Sequence, residues 1–397
     1  MSAGEISKKG NRKIKILAVP ANEGGCAYYR IIMPMQKMLE KCGDDVEIRF
    51  NFNPLNMNEE TKEYPENDVL EDIEWADIVM TQNIPNWGAG YIFKLVQVVK
   101  EKGKLFHYDT DDLLTDLYEG HRLYEVYTEQ KLNELTAFVY QNADLVTVTQ
   151  RKFAERVAQY CTGTLAVIRN AIDYDLPCWN MPWTPRGKGP MRVGWVGGIH
   201  HEQDLKQVPS VVLGVNAKAG AENLSWRFFG RPPKVPNQPP DWQQDVWDNY
   251  ERLLTRGVKH KNVEIYNAMP SHIYGQMFTA MDVGIAPLEF NNFNDSKSDI
   301  KVAECGRYGL PLVATNCGCY EDLIVNGETG YLIDKSNPRQ DWVNKISKLA
   351  KDPKGCREMG LNLKAITDEL YDINKQVPKR VELYRDLLKD HVKKDYI

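Results

Sequence analysis

Short apolar runs alternate along the chain with segments whose apolar residues return every three or four positions. The runs Lys13–Val19, Val46–Phe50, Ile78–Thr81, Leu105–Tyr108, Leu145–Thr149 and Leu165–Arg169 predict six strands in the first half. Arg192–Val196, Trp226–Phe229, Val263–Tyr266, Val283–Ala286, Leu310–Ala314 and Tyr331–Ile333 predict a second series. Strand-helix alternation of this kind is the pattern of parallel α/β architecture. Between the series, Asp175–Pro190 is rich in Pro and Gly and has no periodicity, so it reads as a linker. The expected division is residues 1–175, a linker at 176–190, residues 191–375, and a terminal helix over 376–397. On that helix Val381, Tyr384, Leu388 and Val392 share one face. No solenoid-length repeat is visible. One insertion interrupts the second half. Arg231–Pro240 cannot be helical, because proline removes donors and fixes φ. Asp241–Lys261 then places Trp242, Val246, Tyr250 and Leu253 on one face. A lid, an acceptor platform and surface decoration are all open roles for it.

The polar residues are most informative between Val283 and Asp334. An apolar strand ends in an Asn-rich loop, and a helix is predicted to open at Ser298, carry Lys301 and Glu304, and stop at Gly309. The strand Leu310–Thr315 follows, and then a Gly/Cys turn with Glu321. The free N–H groups and dipole of a helix N-terminus favour phosphate where they face the carboxyl ends of parallel strands. A carboxylate further along the helix lies beyond the phosphates and can accept bonds from sugar hydroxyls. Diphosphate plus ribose is a nucleotide-sugar pattern.

The motif SKSDIKVAECGRYGLPLVAT…G…E…NGETGYLI resembles the donor-binding signature of GT-B glycosyltransferases, most closely the retaining family 4. The resemblance implies two Rossmann-like domains facing each other across a cleft, with the last helix crossing back onto the N-terminal domain. The first domain would bind acceptor and the second the nucleotide-sugar donor. It also implies that Glu304 holds the donor ribose. The family's first motif Glu is replaced by Ser296, and its Gly-Gly-x-x-Glu turn reads Cys317-Gly318-Cys319-Tyr320-Glu321.

Further loops at strand ends supply candidates. Gly24 and Gly25 let backbone approach a ligand, and Tyr28, Tyr29 and Arg30 follow as acceptor contacts. The run lacks a full GxGxxG, which argues against a dinucleotide site. FHYDTDDLL carries Asp109, Asp111 and Asp112 and resembles the metal-binding DxD of the GT-A fold. The resemblance to family 4 instead implies that Asp111 or Asp112 orients the acceptor hydroxyl or takes its proton. Gly197 and Gly198 permit a tight turn beneath the diphosphate. His200, His201 and Lys206 stand where family members often place Arg and Lys. A variant group within the resemblance matches His201 followed three residues later by Asp204-Leu205. Lys297, Arg231, Ser298 and Asp299 complete the expected phosphate contacts. The nucleobase is expected at Asn267, Ala268 and Met269, where backbone groups would read it.

Composition narrows the class. The 397 residues accommodate two cores, and 42% hydrophobic with 26% charged residues is ordinary for a globular enzyme. A net charge of −5 gives no global case for nucleic acid, although Lys8, Lys9, Arg12, Lys13 and Lys15 cluster at the start. Neither a signal peptide nor an apolar stretch of the ~18–20 residues needed to span a bilayer is present, so a cytoplasmic protein is expected. Eight scattered cysteines form no CxxC pair, and the Cys317/Cys319 turn reads as small residues rather than a metal site. No metal ligand set is expected. No cofactor is required beyond the nucleoside-diphosphate sugar, with UDP favoured over GDP and a divalent metal left open.

The expected activity is retaining transfer of a hexose or pentose to a saccharide or protein hydroxyl. Because Ser296 is no carboxylate, front-face attack with the donor phosphate accepting the proton suits the motif better than a protein nucleophile. Two alternatives stay open. One is glycosylation of hydroxymethylated pyrimidines in DNA, as in phage proteins of similar sequence. The other is a non-transferring nucleotide-sugar-binding subunit or an epimerase.

Overall fold

The structure, a computed structural model, describes residues 12–52, 66–82, 89–184, 186–233, 242–257 and 260–394, and the side chains of 66–69, 89 and 390–394 are left aside. Lys8, Lys9, the Pro-rich stretch 234–240 and the side chain of Val392 therefore lie outside the described residues. Each expected apolar run forms a strand. β1 (Ile14–Val19), β2 (Val46–Phe50), β3 (Ile78–Gln82), β4 (Leu105–Asp109), β5 (Leu145–Val148) and β6 (Thr164–Val167) make one parallel sheet in the order β2-β1-β3-β4-β5-β6. β7 (Met191–Val196), β8 (Leu224–Arg231), β9 (Val263–Asn267), β10 (Val283–Ala286), β11 (Leu312–Thr315) and β12 (Gly330–Ile333) make the other, in the order β12-β11-β10-β7-β8-β9. β3, β4, β5, β10 and β11 are buried along their whole length, as strands covered by helices on both faces must be. This burial is why they read as continuous apolar runs rather than alternations.

Each sheet has a topological switch point, between β1 and β3 in the first and between β7 and β10 in the second. Ligands of open α/β sheets bind beyond the carboxyl ends of the strands at such points. The loops that leave β1, β7 and β10 hold Gly24–Cys26, Gly197–His201 and Glu289–Asp299, so the fold brings the sequence candidates to the two switch points.

The last helix, Ile373–Lys394, packs against Met33–Cys42 of the first half. Its Val377, Val381 and Tyr384 share a core with Ile16, Met38 and Met80. It begins before the expected position 376, because the crossover is pinned by backbone. The Ile172 amide donates to Tyr371 C=O at 2.7 Å, and the Ile373 amide donates to Ile172 C=O at 3.1 Å. The expected linker is not loose. Cys178 and Trp179 are buried in a core with Phe278 and Tyr308, and Trp183 Nε1 donates to Met281 C=O at 2.7 Å.

The insertion forms a helix over Trp242–Thr255. Its buried face is Val246, Trp247, Tyr250 and Leu254, one position round from the face expected. Trp242 stands 52% exposed, because the helix is anchored by Trp247 against Trp195.

After β1 the helical turn Gly25–Ala27 passes through a π-helical segment, Tyr28–Ile32, before Met33–Cys42. This wider turn alters the direction of successive side chains. Arg30 is fully buried and grips Asp109 with two bonds, Nε to Oδ1 at 2.7 Å and Nη2 to Oδ2 at 2.8 Å. Its Nη1 donates to Ile168 C=O and Asn170 Oδ1. Thr147 also donates to Asp109 Oδ2 at 2.5 Å, and His107 bridges Thr147 to Tyr384 of the last helix. Burial disfavours the charge on Asp109, but the Arg30 guanidinium overrides it and holds the carboxyl below its ordinary range. Burial pushes His107 down to about 3, so the bridge is neutral. Arg30 is thus a structural anchor and not the acceptor contact expected of it. Asp109→Ala leaves a guanidinium unpaired in the core, and urea unfolding should record a loss of about 3–5 kcal/mol, whereas an exposed-pair deletion such as Glu155→Ala should cost under ~1 kcal/mol.

Candidate active site

Where the second sheet switches, Asn291–Asp299 leaves β10 and reaches the first half. Asn291 caps the short turn Asn292–Asp295 by accepting from the Asn294 amide at 2.8 Å. Phe293, 2% exposed, enters the core of the first half beside Tyr118 and His121. Arg156 pairs with Asp295 at 2.8 Å and donates to Ser296 Oγ at 3.2 Å, while Ser296 Oγ donates to Asn292 C=O at 2.8 Å. Gln150 Nε2 donates to Asp295 C=O at 2.9 Å. Lys152 pairs with Glu321 at 2.7 Å, and Arg169 pairs with Asp299. Ser296, Asp299 and Glu321, all expected at the donor, therefore hold residues of the opposite half.

The helix expected from Ser298 runs over Ile300–Arg307, preceded by Asp299 whose side chain makes no capping bond, and the chain turns away at Gly309, whose φ is +64°. Among the described residues, the amides of Ser298, Asp299, Ile300 and Lys301 find no backbone acceptor. These are the orphan donors of a helix start, positioned beyond the carboxyl ends of β10 and β11. One turn in, Glu304 is 1% exposed. Its Oε2 pairs with Lys301 at 2.7 Å, and its Oε1 accepts from the Tyr29 hydroxyl at 3.3 Å. Lys301 also donates to the Tyr274 hydroxyl at 3.0 Å. Burial disfavours the Lys301 ammonium, but Glu304 outweighs it and the pKa is raised. Burial, then Glu304, pushes the hydroxyls of Tyr29 and Tyr274 up, so both are protonated donors. The first half reaches this helix through Tyr29, while Tyr28 turns toward Asp173 and the crossover.

The loop after β7 depends on glycine in two places. A β-carbon at Gly197 would strike the Trp195 ring, and one at Gly230 would strike Gly197 C=O. Gly198 borders open space. His201 follows, with Nδ1 2.8 Å from Asp204 Oδ2. Asp204 is buried, and its other oxygen accepts from the Glu289 amide at 2.7 Å and from Asn294 Nδ2 at 2.9 Å. Burial opposes its charge, but His201 and Lys297 outweigh that and hold its carboxyl low. One carboxylate thus ties together the two loops that flank the switch point. Arg231 does not join them. It pairs with Asp248 and Glu251 on the insertion helix, so its charge is spent on its own neighbour rather than on a phosphate as expected. At the expected base site the Ala268 amide already donates to Arg231 C=O at 2.7 Å.

Opposite lies the Asp-Thr-Asp loop. Cys26 Sγ and one oxygen each of Asp111 and Asp112 fall within 4.8 Å of one another. Lys297 lies over the Phe293 ring at 4.6 Å and 3.7 Å from Asp112. Burial works against the Lys297 ammonium, but Asp112 and Asp204 outweigh it and its pKa is raised, so it is charged. Burial, then Asp112's charge, pushes Asp111 up to about 6. The thiol and carboxylates resemble a cation-binding donor set, but Lys297 already supplies positive charge beside them. Gly24 and Gly25 are exposed on the rim. Cys317 and Cys319 are buried core residues. Among the basic residues near the start, Arg12 pairs with Asp77 and Lys15 lies over Trp75, so neither contributes to a free basic groove.

Cys26, Asp204, Tyr274, Arg156 and Lys152 belong to this site and were not expected there. The His201–Asp204 spacing of three was the legible signal for Asp204. Tyr274 sits in a 3₁₀ turn without any pattern, and the two cations come from a surface helix of the other half.

Residues 191–352 match the family model described as glycosyl transferases, group 1. Solved structures resemble nearly the whole chain. Sucrose-phosphate synthase from Thermosynechococcus elongatus is 14% identical, with a TM-score of 0.66 over 95% of this chain and 100% of that one. HepE from Anabaena, solved with UDP and glucose, is 15% identical, with a TM-score of 0.63 over 94% and 100%. A glycosyltransferase from Rickettsia africae is 15% identical, with a TM-score of 0.61 over 96% and 100%. No curated protein matches the chain by sequence. The GT-B architecture expected from the motif is therefore the observed one.

The carboxylates make Cys26 a chemical reporter of the centre. Cys26 is exposed, and Asp111's charge pushes its thiol well above the usual range. Asp111→Asn should therefore speed alkylation of Cys26 by iodoacetamide at pH 8 several-fold, followed by mass spectrometry of its peptide. An unchanged rate would mean the two groups do not interact.

Proposed function

We propose that this chain is a retaining glycosyltransferase that moves a sugar from a UDP-sugar to the hydroxyl of a saccharide. The carrying observation is the start of the helix Ile300–Arg307, with orphan amides at Ser298–Lys301 and a buried carboxylate, Glu304, one turn behind. The amides would take the diphosphate and Glu304 the ribose hydroxyls, with Tyr29 and Tyr274 orienting the carboxylate. The UDP bound by HepE supports uracil as the base.

Lys297 stands one residue before the first of these amides, with its ammonium 3.7 Å from Asp112. It would stabilise charge on the departing diphosphate, moving from Asp112 by rotation of its stem. His201, oriented by Asp204, offers its Nε2 edge as a second partner. As the C1–O bond to phosphate breaks, its electron pair leaves with the diphosphate. The acceptor oxygen bonds to C1 from the same face, and its proton passes to the departing phosphate oxygen. Asp111 would accept a hydrogen bond from that hydroxyl and aim it. Ser296, held by Arg156 and Asn292, offers no nucleophile in place of the family's carboxylate. Contacts across the cleft would exclude water once both substrates are bound.

Glu304→Gln keeps the shape but leaves Lys301 without its carboxylate, so donor KM should rise roughly 10–100-fold, with the fold retained by circular dichroism at a lower melting temperature. An unaltered KM would remove Glu304 from the site. Ionised Asp111 accepts more strongly than its acid form, so kcat/KM should fall as pH drops through about 6. Asp111→Asn should abolish that limb and, as loss of aim rather than of proton transfer, lower the rate at most about 10²-fold. Because the fold raises this pKa, the ionised form is disfavoured in the native state. The same variant should therefore melt higher than wild type at pH 8 and lose that advantage at pH 4.

A further inference from the structure

Beside the catalytic centre, between the two halves, lies a cavity of about 280 Å³ that none of the assigned contacts uses. Tyr118, Gly120 and Arg122 line it from the first half, and Ile199, His200, Glu202 and Gln203 from the second. We propose that this cavity is the acceptor subsite and that it takes one uncharged pyranose unit of a saccharide, which rests on the glycosyl-transfer reading above.

Position is the first argument. His200 of the lining is backed by His121, the two rings stacked with centroids 5.9 Å apart and planes within 10°. The same His121 ring packs on Phe293 at 4.8 Å, and Phe293 carries Lys297 on its face. A run of three packed rings, His200, His121 and Phe293, therefore links the cavity wall to the Lys297–Asp112 pair. Size is the second. A space of this volume sits just below the range of drug-sized pockets and suits a single sugar ring.

The lining chemistry is the third. Burial, then the charge of Lys297, pushes His121 down to about 4, and burial also lowers His200. Both rings are neutral at physiological pH. His121 Nδ1 accepts from the Leu123 amide at 3.2 Å, which leaves the proton on Nε2 as a donor. Arg122 has no carboxylate partner among the described residues and lies over the exposed Trp242 ring at 5.3 Å. The guanidinium of Arg122 and the carboxylate of Glu202 each offer paired donors or acceptors at the spacing of vicinal hydroxyls, while Gln203 is held between Gly120 C=O and Lys206 and shapes the wall. The Tyr118 ring offers an apolar face to the C–H side of a ring. One cation and one carboxylate balance, so the cavity presents no phosphate-tracking stripe, and a neutral polyol fits it better than a nucleic acid. Trp242 also gives the insertion a place at the mouth of this cavity.

Gly120 provides the steric probe, because an added β-carbon would meet the Tyr118 ring at 3.1 Å and the Gln203 side chain at 3.3 Å. Protein saturated with UDP is titrated with methyl glycopyranosides of glucose, galactose, mannose and N-acetylglucosamine, read by saturation-transfer NMR. At least one glycoside should bind, and its affinity should fall tenfold or more in Gly120→Val and in the surface variant Arg122→Ala. UDP affinity by calorimetry should stay within about twofold. Glycoside binding that survives both substitutions, or no glycoside binding while UDP binds, overturns the subsite. If UDP fails to bind, the donor reading falls separately, and the glycoside titration still decides the cavity. Arg122→Ala keeps the test valid should Gly120→Val fail to fold.

Discussion

The buried carboxylate of Asp204 is the constraint on which the site's geometry rests. Its oxygens bond His201 in the loop after β7 and both the Glu289 amide and Asn294 side chain in the loop after β10. Those loops leave neighbouring strands on either side of a switch point, where nothing in the sheet ladder holds them together. A charge that is 1% exposed needs such partners, because an uncompensated one costs several kcal/mol. The requirement works in both directions. The loops satisfy the carboxylate, and the carboxylate fixes their separation.

The next stretch of chain takes its direction from that separation. With Asn294 held, Phe293 projects into the core of the first half, and Asp295 and Ser296 meet Arg156. The helix Ile300–Arg307 then starts facing the cleft with its amides free. On the other side the Arg30–Asp109 pair plays a matching part. It anchors the π-helical turn that aims Tyr29 at Glu304 and the strand end that carries Asp111. Each half thus contributes one buried ionic anchor, and the chemistry is divided between loops that the anchors position. Asp111 is buried and pushed up, whereas the partly exposed Asp112 stands beside Lys297. In the proposed mechanism that difference makes Asp112 the charge partner and Asp111 the group that aims the hydroxyl.

Much of this architecture is legible in the amino-acid sequence. The twelve strands follow from short apolar runs, since both faces of a parallel sheet are covered and period-2 alternation disappears. The start of the donor helix was expected within two residues, and its stop at Gly309 follows from a left-handed φ that glycine adopts without strain. Glu304 was placed by helical spacing and by the motif. Arg231 and Arg30 were misjudged for one reason. A cation at a strand end looks the same in sequence whether it meets a phosphate or a carboxylate, and here Asp248, Glu251 and Asp109 reach it first.

By itself the sequence determined the local periodicities, the order of strands and helices, and the glycines where a side chain has no room. These depend on neighbours a few positions apart. Only the tertiary structure decided which charges cancel, because Arg156 and Asp295, or Arg30 and Asp109, are brought together by strand order across 139 and 79 positions. The insertion helix shows the same division. Its amphipathic period was readable, but the contact of Trp247 with Trp195 chose which face is buried and left Trp242 over Arg122. Packing against a distant surface selects among faces that local spacing leaves nearly equivalent.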